Sequence, residues 1–188
     1  MEYLVLPGYG GSGPRHWQSL WEAEDASSPR GGANPRFRRV EQEDWNRPEA
    51  DRWAEALDRA VAASPGPVIL VAHSLACLLA ARWAAGASSI AIAKVKGALL
   101  VAPVDPDGPA FPSEARGFSP APRSRLPFRS IVVASSNDPY GSLEYQGGLA
   151  HAWGADFVPV GARGHINAES GLGAWPEGRS LLDSLAAG

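Results

Sequence analysis

The 188-residue sequence predicts an α/β protein, a three-layer α/β/α sandwich around a mostly parallel sheet of about six strands. Three observations carry that expectation. Short apolar runs rich in β-branched residues alternate along the chain with longer segments of helical spacing, the pattern of strands joined by crossover helices. One run, Pro67-Val68-Ile69-Leu70-Val71-Ala72, is apolar without alternation, as in a central parallel strand covered on both faces. Glycine and proline mark several of the strand ends.

Taken in order, Tyr3 to Leu6 is a short buried strand stopped by Pro7-Gly8. Trp17, Leu20 and Trp21 recur at helical spacing within Pro14 to Glu24, and Ser27 to Pro35 is a Ser/Pro/Gly loop. Phe37 to Val40 is a second strand. Pro48 to Ala63 opens with proline and acidic residues suited to a first helical turn, and Trp53, Ala56, Leu57 and Ala60 then share one face. After the central strand, Leu75 to Ala85 is a buried helix. Ala98 to Ala102 and Ser130 to Ser135 are further buried strands, joined by a proline-rich connection, Pro103 to Pro127, without periodicity. Leu143 to Trp153 is a helix, Asp156 to Val160 the last strand, and Gly178 to Ala186 a C-terminal helix. No repeat or long linker divides the chain, so residues 1–188 are expected to form one domain.

Composition narrows the function classes. A net charge of −3 with scattered arginines gives no footprint for nucleic acid or an acidic membrane. The single cysteine, Cys77, has no internal disulfide partner, and the four histidines form no Cys/His cluster at metal-ligand spacing. No apolar segment approaches the ~20 residues of a membrane span. A soluble cytoplasmic protein is expected, with no metal and no cofactor.

Ser74 lies directly between the most apolar strand and a helix, in Ala72-His73-Ser74-Leu75-Ala76. That is the place of a nucleophile elbow, whose usual pattern of glycine two residues either side of the serine allows close packing at a strained turn. Alanine stands at both small positions here. The competing reading is a serine that caps the following helix. A serine nucleophile needs a histidine base and a carboxylate that fixes its tautomer. Asp138, in Ser135-Ser136-Asn137-Asp138-Pro139-Tyr140, follows a late strand, and His165, in Gly164-His165-Ile166-Asn167, follows the last one. Serine, aspartate and histidine thus occur in the chain order of α/β hydrolases, each after a different strand.

An oxyanion hole requires backbone N–H groups beside the nucleophile. Leu75 supplies one, and Tyr9 or Gly10 in Gly8-Tyr9-Gly10-Gly11-Ser12-Gly13 the other. This loop also invites a nucleotide-binding reading, but its third glycine is out of register and no Gly-Lys-Ser/Thr follows. Of the other histidines, His151 is expected on a solvated helix face, His73 as a structural neighbour of the pocket, and His16 near the mouth of the site.

As a set, Leu6-Pro7-Gly8-Tyr9-Gly10-Gly11-Ser12 with His16-Trp17-Gln18 and Trp21, Asp44-Trp45 with Pro48 and Trp53, His73-Ser74-Leu75, Ala102-Pro103, and the segments around Asp138 and His165 resemble the serine hydrolases related to retinoblastoma-binding protein 9. The resemblance spans nearly the whole chain. It implies the same Ser74, Asp138 and His165 triad, and a compact metal-free hydrolase fold without a large cap domain. Alanine at 72 and 76 departs from many relatives and leaves a non-catalytic interaction module as the alternative.

The expected reaction is carboxylesterase-like, on small esters, with thioesters or amides open. In the Val104 to Pro127 segment, Phe111 and Phe118 are either substrate-lining residues or anchors that fix a stiff, proline-rich rim to the core.

Overall fold

The computed structural model describes residues 1–28 and 36–187. Six parallel strands form one sheet: β1 (Glu2–Leu6), β2 (Phe37–Arg39), β3 (Val68–His73), β4 (Val95–Val101), β5 (Arg129–Ala134) and β6 (Asp156–Pro159), in the order β2-β1-β3-β4-β5-β6. The chain goes outward from β1 to β2 and then returns to the other side of β1. The order therefore reverses between β1 and β3, which is where open α/β sheets place their ligands.

Alternation along each strand sends successive residues to opposite faces. Leu4, Leu6, Leu70, Ala72, Leu100 and Val132 pack one way, against α2 (Ala50–Ala63), α3 (Leu75–Gly86) and α5 (Leu143–Trp153). Tyr3, Val5, Ile69, Val71, Leu99 and Val133 pack the other way, against α1 (Trp17–Ser27) and α6 (Pro176–Ala186). These are the three predicted layers, and they account for the run in β3: every residue from Val68 to His73 is buried. Helix α3 is buried on nearly all sides because it lies between the sheet and α2. Helix α2 buries Trp53, Leu57 and Ala60 of its predicted face and Val61 beside them, while Ala56 is half-buried.

Several boundaries differ from expectation for local reasons. Helix α1 starts at Trp17 rather than Pro14, because His16 is its N-cap and accepts the Gln18 amide on Nδ1 at 3.2 Å. A short helix, α4 (Ser89–Lys94), was not legible in the apolar pattern; the Ser88 hydroxyl caps it by accepting the Ala91 amide. Strand β4 starts at Val95, earlier than Ala98. Of the predicted Ser27–Pro35 loop, Ser27 ends α1 and residues 29–35 lie outside the described residues.

The 103–127 connection is irregular, as its composition suggests, but it is pinned to the core. Phe118 meets Trp53 edge-on at 6.1 Å between ring centres, Leu126 is buried, and the Trp153 indole donates to the Pro122 carbonyl at 2.7 Å.

Candidate active site

Ser74 stands between β3 and α3 with φ 60° and ψ −126°, a conformation costly for a residue with a side chain. Surrounding contacts impose it: the Ser74 amide donates to Val101 at the end of β4 at 2.8 Å, and its carbonyl accepts from Cys77 at 3.0 Å. The capping alternative fails, since the Ser74 side chain makes no cap hydrogen bond to α3. The turn forms with alanine at 72 and 76, both fully buried. Close approach is required instead at Gly8, where an added Cβ would lie 2.8 Å from Ser74 Cβ and 3.2 Å from its Oγ.

The Ser74 hydroxyl meets His165 Nε2 at 2.8 Å. The other ring nitrogen, Nδ1, lies 2.9 and 3.0 Å from the two oxygens of Asp138. A carboxylate facing Nδ1 keeps the imidazole proton there and leaves the Nε2 lone pair for the serine hydroxyl. Asp138, whose side chain has no exposed surface, also accepts the Tyr140 amide on Oδ1 and the Gln146 amide on Oδ2, each at 3.0 Å.

The loops that carry the acid and the histidine are laced together. Asn137 Oδ1 accepts the Gly164 amide at 2.7 Å and the Ser135 hydroxyl at 2.9 Å, and Ser135 Oγ accepts the Arg163 amide at 2.9 Å. Beyond the histidine, Trp17 Nε1 donates to the Ile166 carbonyl at 2.8 Å, which ties the loop to α1.

Three of the four histidines gather here. His73 is 2.9 Å from the His165 carbonyl through Nε2; a carbonyl only accepts, so His73 carries its proton on that nitrogen. Its ring lies 4.9 Å from that of His165 and 4.7 Å from that of His16. Burial pushes His73 well below the ordinary histidine value, assisted by the two neighbouring rings. Burial first, then Arg39 and His165, bring His16 down to about 3. Both are neutral spacers, while His151 is on an exposed helix position as expected. Cys77 is buried beneath the elbow, its thiol pushed up by burial, and offers no thiolate.

A cleft of about 360 Å³ opens over Ser74 and His165, with Tyr9, Tyr140, His16, Val104, Pro112 and Glu169 among its walls. Of the expected oxyanion donors, Gly10 is removed, because its amide donates to the Trp45 carbonyl at 2.8 Å. The Tyr9 and Leu75 amides have no hydrogen-bond partner among the described residues, and both residues line the cleft. The substrate-lining expectation for the two phenylalanines is also corrected. Phe118 is 2% exposed and packs on Trp53, and Phe111 packs against the same core, while their neighbours Val104, Ala110 and Pro112 face the cleft. Both rings anchor the rim.

Among the described residues, no group of three or more His, Cys, Asp or Glu side chains is placed to hold a metal, and no helix is long and apolar enough to cross a membrane.

Sequence reasoning did not single out Gly8, Gln146, Asn137 or Ser135. Asn137 and Ser135 are direct neighbours of the acid segment and were in view. Gln146 gave one faint signal, a polar side chain on a helix that turns out to be wholly buried.

Residues 3–184 match the model of a family described as serine hydrolase. A structure described as a YdeN-like hydrolase from Pectobacterium atrosepticum is 31% identical, covers 99% of this chain and 90% of its own, and superposes with a TM-score of 0.81. The ydeN gene product of B. subtilis shares 17% identity over 100% of this chain and 99% of its own, with a TM-score of 0.77. Est1E from Butyrivibrio proteoclasticus, seen with ferulic acid bound, shares the fold at 9% identity over 99% of this chain and 89% of its own, with a TM-score of 0.66. No curated protein matches the sequence.

Proposed function

The chain belongs to the serine hydrolase family, and on that premise we propose that it cleaves small carboxylic esters through an acyl-enzyme formed on Ser74. The observation that carries this reading is the unbroken hydrogen-bonded chain Ser74–His165–Asp138, contributed by three separate strand ends and open to one cleft.

In the proposed sequence, Ser74 Oγ attacks the ester carbonyl as His165 Nε2 takes its proton. Asp138 holds the Nδ1–H and offsets the charge of the imidazolium. The carbonyl oxygen becomes an oxyanion held by the Leu75 and Tyr9 amides. Collapse breaks the bond to the leaving alkoxide, which receives the proton from His165. Water then repeats the sequence on the acyl-enzyme, with His165 as base and Ser74 as leaving group, and releases the acid.

Small esters fit better than large ones. The rim between Val104 and Pro127 is pinned by Phe118, Leu126 and Trp153, and the cleft it borders is about 360 Å³, which leaves little room for a long acyl chain. The test is a p-nitrophenyl ester series from acetate upward, run beside matched thioesters and amides. Highest kcat/KM on short acyl esters, abolished in Ser74→Ala, supports the reading. Activity that climbs steadily through long acyl chains, or appears only with thioesters or amides, contradicts the substrate class.

A further inference from the structure

We infer that Gln146 is a positioning residue for hydrolysis: its side-chain amide, donated to Asp138 and to the Pro103 carbonyl, holds the acid in the orientation that His165 needs. The inference rests on the triad reading above. Asp138 follows β5, but nothing on its own loop fixes the rotation of its carboxylate beyond the Tyr140 amide on Oδ1. Gln146 completes the set from α5. Its Nε2 lies 3.0 Å from Asp138 Oδ2 and 3.0 Å from the Pro103 carbonyl, so both protons of the amide are committed. The two acceptors also fix which end of the amide faces the acid, because only the nitrogen donates.

With no exposed surface on the Asp138 side chain, water does not replace a missing donor there. Each carboxylate oxygen therefore has one fixed donor, Tyr140 on Oδ1 and Gln146 on Oδ2, while His165 Nδ1 addresses both. Gln146 is itself wholly buried, and an added Cβ at Gly141 would fall 3.1 Å from its Nε2, so the amide has little room to turn. Its second acceptor belongs to the segment that continues into Val104 on the cleft wall. One side chain thus joins the acid to the backbone that shapes the pocket.

The charged and titratable groups around this point are His165, His73 and His16 toward the cleft, Tyr140 over the imidazole, Cys77 beneath, Asp105 on the adjoining loop and the exposed Glu144 and half-buried Tyr145 on α5. Apart from the His165 Nδ1–H itself, none supplies a further donor to Oδ2 among the described residues. Without the amide, the carboxylate turns more freely and holds the Nδ1–H less squarely, so the imidazole is less often aligned with Ser74.

The test measures kcat, KM and their pH profiles on p-nitrophenyl acetate for wild type, Gln146→Met and Gln146→Glu, with thermal unfolding of each. Gln146→Met, similar in length without a donor, is expected to lose about ten- to a hundredfold in kcat with little change in KM, the scale of one hydrogen bond to a charged group. Gln146→Glu donates only while protonated and otherwise sets two carboxylates face to face, so its activity relative to wild type is expected to fall as pH rises. If Gln146→Met does not fold, that ratio carries the test alone. Wild-type kcat in the folded variants, a loss that appears in KM alone, or a Gln146→Glu activity ratio that does not change with pH overturns the inference while the triad reading stands. A wild type with no Ser74-dependent activity removes both.

Discussion

Gly8 stands so close to Ser74 that a Cβ added to it would lie 2.8 Å from the serine Cβ and 3.0 Å from the His73 carbonyl. The loop after β1 and the elbow after β3 are therefore one packed unit, although Gly8 and Ser74 are far apart in the chain. Gly8→Ala is expected to displace either the serine or the loop that carries Tyr9. A displacement approaching 1 Å costs about a hundredfold in rate, so kcat/KM should fall by tenfold to a hundredfold while the protein remains folded. Steady-state kinetics with a melting curve checks this, and an unchanged kcat/KM would mean that the loop yields without consequence.

The rim should prove structural. Phe118→Ala removes a buried ring that packs on Trp53 and is expected to cost about 3–5 kcal/mol of stability. Denaturant unfolding measures that loss. Relative activity across the acyl-chain series should not change in the folded variant, and a shift in chain-length preference would return the ring to the substrate pocket.

Stability should weaken in mild acid through the buried histidines. Burial lowers His16 from its ordinary 6.5 to about 3, so between those values the unfolded chain binds a proton that the folded chain refuses. A base whose folded affinity for protons is depressed contributes its full stability above 6.5 and loses it as pH falls toward 3. His73, pushed down for the same reason, acts in the same direction. His16→Asn keeps a good N-cap for α1 but removes that titration, so its Tm should fall less than wild type between neutral and mildly acid pH. Parallel Tm curves would assign the acid sensitivity to other groups.

What could be read from residues alone followed the strength of local signals. The run from Val68 to Ala72, with Ser74 just after it, identified a covered strand and its elbow, because burial on both faces leaves no room for polar residues. Asp138 and His165 followed from chain order and strand ends, and the fold places His165 between Asp138 and Ser74. The rest depends on contacts between distant segments. That Trp45 takes the Gly10 amide, that Phe118 turns toward Trp53, and that Gln146 reaches Asp138 are all facts of tertiary packing. No periodicity along the chain encodes them. His16 as a helix cap was hidden for a different reason, since histidine is not among the residues that usually mark a helix start.

The most direct measurement is covalent labelling of the folded protein with a fluorophosphonate, followed by mapping of the modified residue. An activated serine reacts and an ordinary buried hydroxyl does not, so the adduct should form on Ser74 and disappear in Ser74→Ala. It should be strongly reduced in His165→Ala, and Asp138→Asn should lower turnover by up to about 10⁴-fold through the wrong histidine tautomer. A natively folded wild type that leaves Ser74 unmodified, or is labelled equally well without His165, would contradict nucleophilic catalysis at this site.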